Sequence, residues 1–439
     1  MLVEEKRGMN MEHIFRGKVI SEAERNHYLL KLEETLNKDL LLGPPDIHMV
    51  INAIKKLVDQ TDFEAFHQQL INMGMSSWKA EDLINTICDG LTPEALILKI
   101  KRELGNDFYE WKDVEKNIQE RQQPMGVIIH IGAGNVVALS VLSVLEGLLS
   151  GNINILKLPS YEGGISFQLL TQLVKIEPRL EPYIYVFDIS SRDTDTIKTF
   201  GEVADAIIVW GSDEAISGIR MVAPPSLPII EWGHRISFAY LTPGEHMVEA
   251  LHQLANEICL SDQQFCSSPQ CLFIETDDID LLEHSALQLQ HALDLAREKY
   301  PPQPLEIHEQ AEVTWTKELI KLEEFGGTQK LVEGKELDFS IMIDYEPSIK
   351  ASPLYRNIWL MPIKRDEIMK ILRVHKGHLQ TVGLACGENE FEELTDLFYK
   401  AGVNRITSCT AMSHTYIGEP HDGKLSLLQY TRCVSRCKN

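Results

Sequence analysis

Short apolar runs separated by helical stretches follow Pro124, and this pattern constrains the fold more than any other feature of the chain. Parallel strands that are buried on both faces have this texture, because each needs a crossover connection, usually a helix, before the next strand. The first series of runs covers residues 126–131, 153–158, 183–187, 206–209 and 227–230. It predicts a doubly wound α/β sheet.

A second series of the same kind follows the first along the chain. It covers residues 236–241, 271–274, 339–343, 358–363, 381–385 and 405–407. At 439 residues the chain exceeds the length at which a single hydrophobic core usually stops growing. We therefore expect two doubly wound α/β domains.

Residues 20–115 precede both series and have apolar side chains at the three- and four-residue intervals typical of helices. Thr92 is a good N-cap, Pro93 fits the first helical position, and Gly105 fits the left-handed residue that closes a helix. Residues 41–45 predict a break between two helices. A helical N-terminal region is therefore expected before the two sheets.

The charge of the chain disfavours some classes of partner. The formal net charge is −23 and the pI is near 5.1, so the protein's negative charge repels the phosphates of nucleic acids and anionic lipid surfaces.

The apolar stretch 136–149 is interrupted by polar residues and is too short to span a bilayer. Residues 1–8 are charged and lack the apolar core of a secretory signal. We expect a cytoplasmic protein that binds no nucleic acid and has no membrane span.

The eight cysteines are scattered through the chain, unlike the dense framework of a small secreted domain, so reduced thiols are expected. Three residues separate Cys433 from Cys437, but no second pair with metal-ligand spacing accompanies them. We interpret the pair as structural and expect no metal site.

Small residues and a lysine follow the first two predicted strands. Ile131-Gly132-Ala133-Gly134-Asn135 would let backbone amides approach an anionic ligand, although such glycines also make tight turns without one. Lys157, before Pro159 and Ser160, would reach a ribose hydroxyl or a phosphate from a strand end. A solvated strand-end lysine is the alternative.

Three further motifs stand at strand or helix ends. Gly211-Ser212 would suit a diphosphate, or Ser212 simply caps the next helix. In Glu231-Trp232-Gly233 the carboxylate is a candidate proton acceptor, or it is paired with Arg235. Cys266 lies in a polar loop, where a thiolate could attack a carbonyl carbon, although a single cysteine is more often buried and inert. We expect that inert role for Cys271.

In this order the motifs resemble the aldehyde dehydrogenase superfamily, and within it the acyl-CoA reductase branch typified by the LuxC subunit of bacterial bioluminescence. The strings at residues 377–381 (Gly-His-Leu-Gln-Thr) and 420–423 (Pro-His-Asp-Gly) resemble that branch specifically. The resemblance implies an aldehyde dehydrogenase-like fold with a C-terminal oligomerisation strand over 426–434. It also implies domains at 1–120, 121–233, 234–422 and 423–439.

The resemblance assigns roles to the candidate residues. Cys266 is the nucleophile, Asn135 helps form the oxyanion hole, and Glu231 is the catalytic carboxylate. The implied cofactor site comprises Ile131, Gly132, Ala133, Lys157, Pro159, Ser160, Gly211, Ser212, Trp232 and Gly233. Ser160 stands where NAD-preferring members often carry Glu, so NADPH is implied, with NADH as the alternative. Residues 352–357 lack the Glu-x-Phe-Gly-Pro motif that grips the nicotinamide ribose.

The implied function is an acyl-CoA reductase that carries a long-chain acyl group on Cys266 and releases it as an aldehyde. Three alternatives remain open at this stage. The chain could run as an aldehyde dehydrogenase in the oxidative direction, or take acyl groups only from a protein partner. It could also be an inactive scaffold subunit that binds an acyl-activating synthetase or a carrier protein. A homo-oligomer is implied in each case.

Overall fold

The computed structural model describes residues 11–132, 138–159 and 164–438. Its contacts divide the chain into two compact units. The first unit contains Met1–Gly233 and Ile417–Asn439, and the second contains His234–Tyr416. The N-terminal helices and the last residues of the chain thus share a unit with the first sheet. The domain boundaries inferred from the resemblance stay predictions.

The strands are numbered in chain order. They are β1 (Glu12–Phe15), β2 (Lys18–Ser21), β3 (Lys112–Glu115), β4 (Ile118–Pro124), β5 (Val127–Ile131), β6 (Ile153–Lys157), β7 (Ile184–Phe187), β8 (Ala206–Trp210), β9 (Ile229–Trp232), β10 (Ile236–Leu241), β11 (Pro269–Glu275), β12 (Gln329–Glu333), β13 (Ser340–Asp344), β14 (Asn357–Ile363), β15 (Leu379–Ala385), β16 (Arg405–Thr407) and β17 (Thr431–Cys437).

The helices are numbered in the same way. They are α1 (Glu22–Leu29), α2 (Leu32–Leu40), α3 (Ile47–Gln60), α4 (Phe63–Asn72), α5 (Ser77–Gly90), α6 (Pro93–Glu103), α7 (Leu139–Leu149), α8 (Ile165–Ile176), α9 (Thr194–Val203), α10 (Asp213–Val222), α11 (Met247–Ser261), α12 (Ile279–Lys299), α13 (Ile307–Glu324), α14 (Ile368–Leu372), α15 (Phe391–Ala401) and α16 (Ser426–Gln429).

The first unit has a seven-stranded sheet with the order β2-β1-β7-β6-β5-β8-β9. Its strands β5 to β9 pair in parallel, and the hairpin of β1 and β2 adds an antiparallel edge beside β7. The doubly wound parallel sheet predicted from the apolar runs is confirmed. The chain moves from β5 to β6 and β7 on one side and returns to β8 and β9 on the other. A topological switch point therefore lies between β5 and β8, where open α/β sheets bind ligands at the carboxyl ends of the strands.

The second unit also has a seven-stranded sheet, with the order β12-β13-β14-β11-β10-β15-β16. All of its neighbouring strands pair in parallel except β12, which is antiparallel to β13 at the edge. Strand β10 lies in the interior of the sheet, between β11 and β15. The second predicted α/β unit is confirmed, and buried apolar side chains form a core on each face of its sheet.

Two predictions about strands were wrong in detail. The helical pattern was extended to residue 115, but Lys112–Glu115 forms β3, an exposed strand that pairs with β4. The C-terminal strand was expected from residue 426, but Ser426–Gln429 is helical and β17 begins at Thr431. The buried carboxylate of Glu103 accepts hydrogen bonds from the Leu427 amide (2.8 Å) and the Ser426 hydroxyl (3.4 Å). The first amides of a helix have no partner within the helix. The Glu103 carboxylate accepts from one of them, the Leu427 amide, and so favours a helix start at this position.

The sequence signals for the N-terminal helices are confirmed. The Thr92 hydroxyl accepts a hydrogen bond from the Ala95 amide at 3.3 Å, Pro93 is the first residue of α6, and Gly105 has φ of +83°. Between α2 and α3 the chain breaks as expected, and Asp46 caps α3 through the Met49 amide at 2.7 Å. No helix within the described residues is long and apolar enough to cross a membrane.

Two helical glycines give a matched test of packing in the first unit. A Cβ atom at Gly147 in α7 would lie 1.8 Å from Oδ1 of the buried Asn154 on β6, whereas one at Gly218 in α10 would meet nothing within 4 Å. We expect Gly147→Ala to lower the free energy of unfolding by about 1–3 kcal/mol through overpacking. Gly218→Ala should raise it by about 0.5–1 kcal/mol through helix propensity. Denaturant unfolding of both variants checks this, and equal effects would contradict it.

Candidate active site

Cys266 differs from the nearest cysteine in the chain by its exposure. It lies in the segment between α11 and β11 and is exposed. Cys271, within β11, is fully buried, donates to the Lys350 carbonyl at 3.1 Å, and has its pKa raised by burial to about 12. The inert role expected for Cys271 is supported by this burial. Cys433 and Cys437 are also exposed, but they lie on β17.

Residues 262–268, named the nucleophile loop here after the candidate nucleophile Cys266, are tied to two interior strands of the second sheet, β10 and β15. The Ser237 hydroxyl donates a 2.7 Å hydrogen bond to the Cys266 carbonyl. The same hydroxyl accepts a 3.1 Å bond from the Thr381 amide on β15. Ser237 therefore fixes the backbone of Cys266 to the amino ends of β10 and β15.

The start of the nucleophile loop has an unusual backbone. Asp262 and Gln263 both have left-handed φ angles, of +47° and +61°. Each such residue costs about 1–2 kcal/mol when it is not glycine. The Gln263 side chain donates to the Pro269 carbonyl at 2.7 Å, and Ser268 donates to Ser261 at 2.8 Å. These bonds close the loop across its base.

A second left-handed segment packs against the first. Leu354, Tyr355 and Arg356 have φ of +59°, +50° and +67°, and all three precede β14. The Arg356 Nε atom lies 2.5 Å from Oδ1 of Asp262, and both side chains are buried. The Tyr355 amide also donates to the Asp262 carbonyl at 3.0 Å. Residues 352–357, which lack the ribose-gripping motif, thus hold the nucleophile loop.

The nucleophile loop lies at the amino edge of the second sheet, since Cys266 precedes β11. Ligands of open α/β sheets usually bind at the carboxyl edge. In this sheet the Arg365 side chain occupies part of the carboxyl edge, where it forms ion pairs with Glu275 at the end of β11 (3.0 Å) and with Glu390. The exposed thiol and this ion-pair cluster are therefore at opposite ends of β11.

In the first unit the described candidate cofactor residues lie at or just after the carboxyl ends of strands of the first sheet. Ile131 and Lys157 are register partners on β5 and β6, and the Gly132 amide donates to the Lys157 carbonyl at 3.5 Å. Lys157 and Pro159 are buried, so Lys157 is not the solvated strand-end lysine of the alternative interpretation. A Cβ at Gly132 would lie 2.2 Å from Ser140 Oγ, so a larger residue there would require the Ser140 side chain to move.

Gly211 and Ser212 form the turn from β8 into α10. The Gly211 amide donates to the Trp232 carbonyl at 3.2 Å, and the Ser212 hydroxyl accepts from the Ala215 amide at 3.3 Å. The capping alternative for Ser212 is therefore confirmed. Capping does not prevent the first-turn amides of α10 from facing an anion at the switch point.

Glu231 has a partner that the sequence did not indicate. Its carboxylate accepts two hydrogen bonds from Arg220 on α10, at 2.5 Å from Nε and 2.7 Å from Nη2. Hydrogen bonding to this carboxylate raises the pKa of Arg220. The alternative that paired Glu231 with Arg235 was right about an arginine and wrong about which one, because a helical residue eleven positions earlier packs beside β9.

Aromatic side chains cover the ends of β8 and β9. Trp210 and Trp232 are register partners, and their rings stack with centroids 5.4 Å apart. The His421 ring packs edge-on against Trp232 at 5.1 Å, and the Lys424 ammonium lies 5.7 Å from the centre of the same ring. The backbones of His421 and Lys424 exchange two hydrogen bonds, of 2.8 and 2.9 Å. The Pro-His-Asp-Gly string therefore forms a tight turn beside Trp232. Gly233 comes directly after Trp232 and ends the first of the two chain segments in this unit.

Three predicted site residues, Ala133, Asn135 and Ser160, lie outside the described residues. Among the described residues no cluster of three or more metal-ligating side chains is present.

Comparison with known proteins places the chain in a family. The family model described as acyl-CoA reductase (LuxC) matches residues 43–433. The chain belongs to the acyl-CoA reductase (LuxC) family. The resemblance inferred from the motifs is confirmed by this match.

Curated relatives of this LuxC-family chain share about a quarter of its sequence. A long-chain acyl-protein thioester reductase from Vibrio harveyi is 26% identical over 92% of this chain and 86% of its own length. One from Aliivibrio fischeri is 27% identical over 71% of this chain. The match spans only 63% of the length of the Aliivibrio fischeri relative.

Solved structures extend the comparison to the fold. An aldehyde dehydrogenase from Bartonella henselae superposes with a TM-score of 0.73 over 98% of this chain and 99% of that one, at 12% sequence identity. The LuxC-family chain therefore has the aldehyde dehydrogenase fold predicted from its motifs.

Sequence reasoning missed the residues that fix the candidates in place. Ser237, Asp262, Arg356 and Arg220 were not singled out. Only the missing ribose motif at residues 352–357 gave a signal, because it marked a segment with an unexplained sequence. The other three are ordinary residue types whose contacts depend on distant parts of the chain.

The two cysteines beside and within β11 should differ in chemical reactivity. With a pKa of about 12, the Cys271 thiol is ionised to roughly one part in 10⁴ at pH 8, and it is also buried. We expect iodoacetamide at pH 8 to label Cys266 in the folded protein and to leave Cys271 unlabelled, as read by peptide mass spectrometry. Both should be labelled after denaturation. Equal labelling in the folded state would refute the burial of β11.

Proposed function

We propose that the chain is a nicotinamide-dependent acyl thioester reductase that forms an aldehyde through an S-acyl intermediate on Cys266. One observation supports this above the others. In a member of the acyl-CoA reductase (LuxC) family, an exposed cysteine stands in a loop whose backbone is fixed by hydrogen bonds through Ser237 to the interior strands β10 and β15. A structural cysteine would need neither exposure nor such a loop.

The proposed substrate is a long-chain acyl thioester. The curated relatives are named long-chain acyl-protein thioester reductases, which favours a long acyl chain and a protein-bound donor. The family description names acyl-CoA instead. Both donors offer the same reactive thioester, and we propose acyl-CoA as the simpler one. An acyl-activating synthetase is the proposed protein partner if the donor is a protein.

The proposed reaction begins with the Cys266 thiolate. It attacks the acyl carbon, a carbon–sulfur bond forms to Cys266, and the donor thiolate leaves. Asn135 and the Cys266 amide are proposed to stabilise the oxyanion, a contribution of about 3–4 kcal/mol in other enzymes. When bound, NADPH supplies the hydride that reduces the acyl carbon. Cleavage of the bond to Cys266 then releases the aldehyde and returns the thiolate.

The proposed cofactor site fits the topology of the first sheet. Gly132 and Gly211 follow β5 and β8, the two strands that flank the switch point. Lys157 ends the neighbouring strand, and the Trp232 ring closes the end of β9. These residues would hold the dinucleotide together with Ile131, Pro159, Ser212 and Gly233. Preference for NADPH over NADH is proposed from Ser160.

Glu231 is proposed to move protons, and its partner favours the reductive direction. Each carboxylate oxygen accepts a hydrogen bond from the Arg220 guanidinium, so both oxygens are less available to take a proton from an attacking water. An oxidising aldehyde dehydrogenase must hydrolyse its acyl intermediate, whereas a reductase must protect it. The Arg220 pair therefore supports the reductase over the oxidising alternative.

Oligomerisation and location are also proposed. Among the described strands β17 pairs only with β4, and most of its side chains are exposed. Its other edge presents backbone groups that another copy of the chain could pair with. We propose a homo-oligomer formed through this strand. A cytoplasmic location is proposed because acyl thioesters and reduced nicotinamide cofactors are available there.

Activity of purified protein with tetradecanoyl-CoA tests the proposal. We expect NADPH oxidation with aldehyde formation, together with an acyl adduct on Cys266 in mass spectrometry. Cys266→Ala should abolish both, because no other group would carry the acyl chain, while Cys271→Ala should leave the adduct in place. An adduct without turnover would indicate a different cofactor or a missing partner. Aldehyde oxidation with no adduct from acyl-CoA would support the oxidising alternative.

The Glu231 pair generates a separate prediction. Arg220→Met removes the two donors that occupy the carboxylate oxygens, so these oxygens can take a proton from water, and water should attack the acyl intermediate faster. Because the Arg220 side chain is 62% exposed, the effect should be at most about five-fold. The rate of acid release from isolated acyl enzyme measures it, with Arg220→Lys as the control that keeps the charge. Slower hydrolysis in Arg220→Met would contradict the proposed role.

A further inference from the structure

The ion pair between Asp262 and Arg356 stands out because burying its two charged side chains costs free energy. Both side chains are buried, and they come from positions 94 residues apart. The Arg356 Nη1 atom and the Gln263 Oε1 atom are buried without a hydrogen-bond partner among the described residues. Buried ion pairs with incomplete hydrogen bonding add little to stability, and apolar residues of the same volume often do better. Stability alone does not explain this pair.

The backbone around the pair is costly as well. Five residues with side chains adopt left-handed φ angles on its two sides, at 262–263 and at 354–356. Strained backbone persists only where the surroundings hold it, and it clusters at functional sites. The contacts that hold it here converge on Asp262, whose carboxylate binds Arg356 and whose carbonyl accepts from Tyr355. Arg356 also donates to the Cys259 carbonyl in the last turn of α11 at 3.3 Å.

These contacts act on the direction in which the chain leaves α11. Asp262 is the left-handed residue that ends the helix, and Cys266 follows four residues later. Without the pair, Asp262 and Gln263 could relax to right-handed or extended conformations. The path from Ser261 to Cys266 would then change, while the Ser237 bond would hold only the Cys266 carbonyl.

We propose that the Asp262–Arg356 pair is a positioning device that aims the Cys266 thiolate at the acyl carbon. Arg356 is a positioning residue, because its described contacts are with Asp262 and Cys259 rather than with Cys266. The inference rests on the proposed function, in which Cys266 carries the acyl group. The position of the thiolate relative to the acyl carbon matters for acyl transfer, because a misplacement of about 1 Å can lower the rate on the order of 100-fold.

Arg356→Lys tests this inference because it keeps the charge and removes the planar fork that binds Asp262. We expect acylation of Cys266 by tetradecanoyl-CoA to slow at least ten-fold. Alkylation of Cys266 by iodoacetamide should change less than two-fold, with the same pH midpoint, because a small reagent does not require one orientation of the thiol. Asn tolerates the left-handed backbone, so Asp262→Asn should fold in the same way. It should also slow acylation of Cys266 while leaving its alkylation nearly unchanged.

Arg365→Lys is the matched control. Arg365 forms ion pairs with Glu275 and Glu390 at the opposite end of β11. The rate of Cys266 acylation in Arg365→Lys should therefore stay within two-fold of the wild-type rate. Protection of Cys271 from iodoacetamide reports that each variant is folded. If Arg356→Lys fails this criterion, Asp262→Asn provides the measurement.

The outcomes separate this inference from the proposed function. Slow acylation with unchanged alkylation in Arg356→Lys supports a positioning role. Unchanged acylation overturns it, and so does an equal loss in Arg365→Lys, which would indicate general destabilisation. A shifted alkylation midpoint would indicate that Arg356 acts on the charge of the thiol, and would also overturn the inference. No acyl adduct in the wild type would overturn the proposed function and, with it, the premise of this inference.

Discussion

Parallel strand pairing at the centre of each sheet is the constraint on which the candidate site depends. In the first sheet β5 lies between β6 and β8, and in the second β10 lies between β11 and β15. Parallel pairing makes consecutive strands begin at one edge and end at the other. The described candidate cofactor residues are thereby gathered at one edge of the first sheet. The same constraint brings Ser237, Thr381 and the nucleophile loop together at one edge of the second.

The two units use their sheets differently. The first follows the usual rule for open α/β sheets, since Gly132 and Gly211 lie at the carboxyl ends of the strands that flank the switch point. In the second, the exposed thiol precedes β11 and lies at the amino edge. Cys266 is therefore not positioned by the start of a helix at a switch point. It is held in place by Ser237 and by the segment before β14.

The fold is shared with proteins of very different sequence. The Bartonella henselae enzyme superposes over nearly the whole chain at only 12% identity. Packing of apolar strands tolerates many sequences, so the architecture persists when individual residues do not. Residues 352–357 lack the ribose-gripping motif, and here they form a left-handed segment that holds the nucleophile loop. The Arg220 pair with Glu231 is a second feature that the motifs did not indicate.

The sequence by itself determined the two α/β units and the strand-end positions of the candidates, because doubly buried parallel strands leave continuous apolar runs. It also determined the ends of α6, where Thr92, Pro93 and Gly105 act through local backbone geometry. Only the tertiary structure decided that Arg220 rather than Arg235 binds Glu231, and that Asp262 meets Arg356 from 94 residues away. The short helix at Ser426–Gln429 was decided in the same way, by the distant carboxylate of Glu103. Periodicity and capping signals act within a few residues, whereas these partners meet only after the chain has folded.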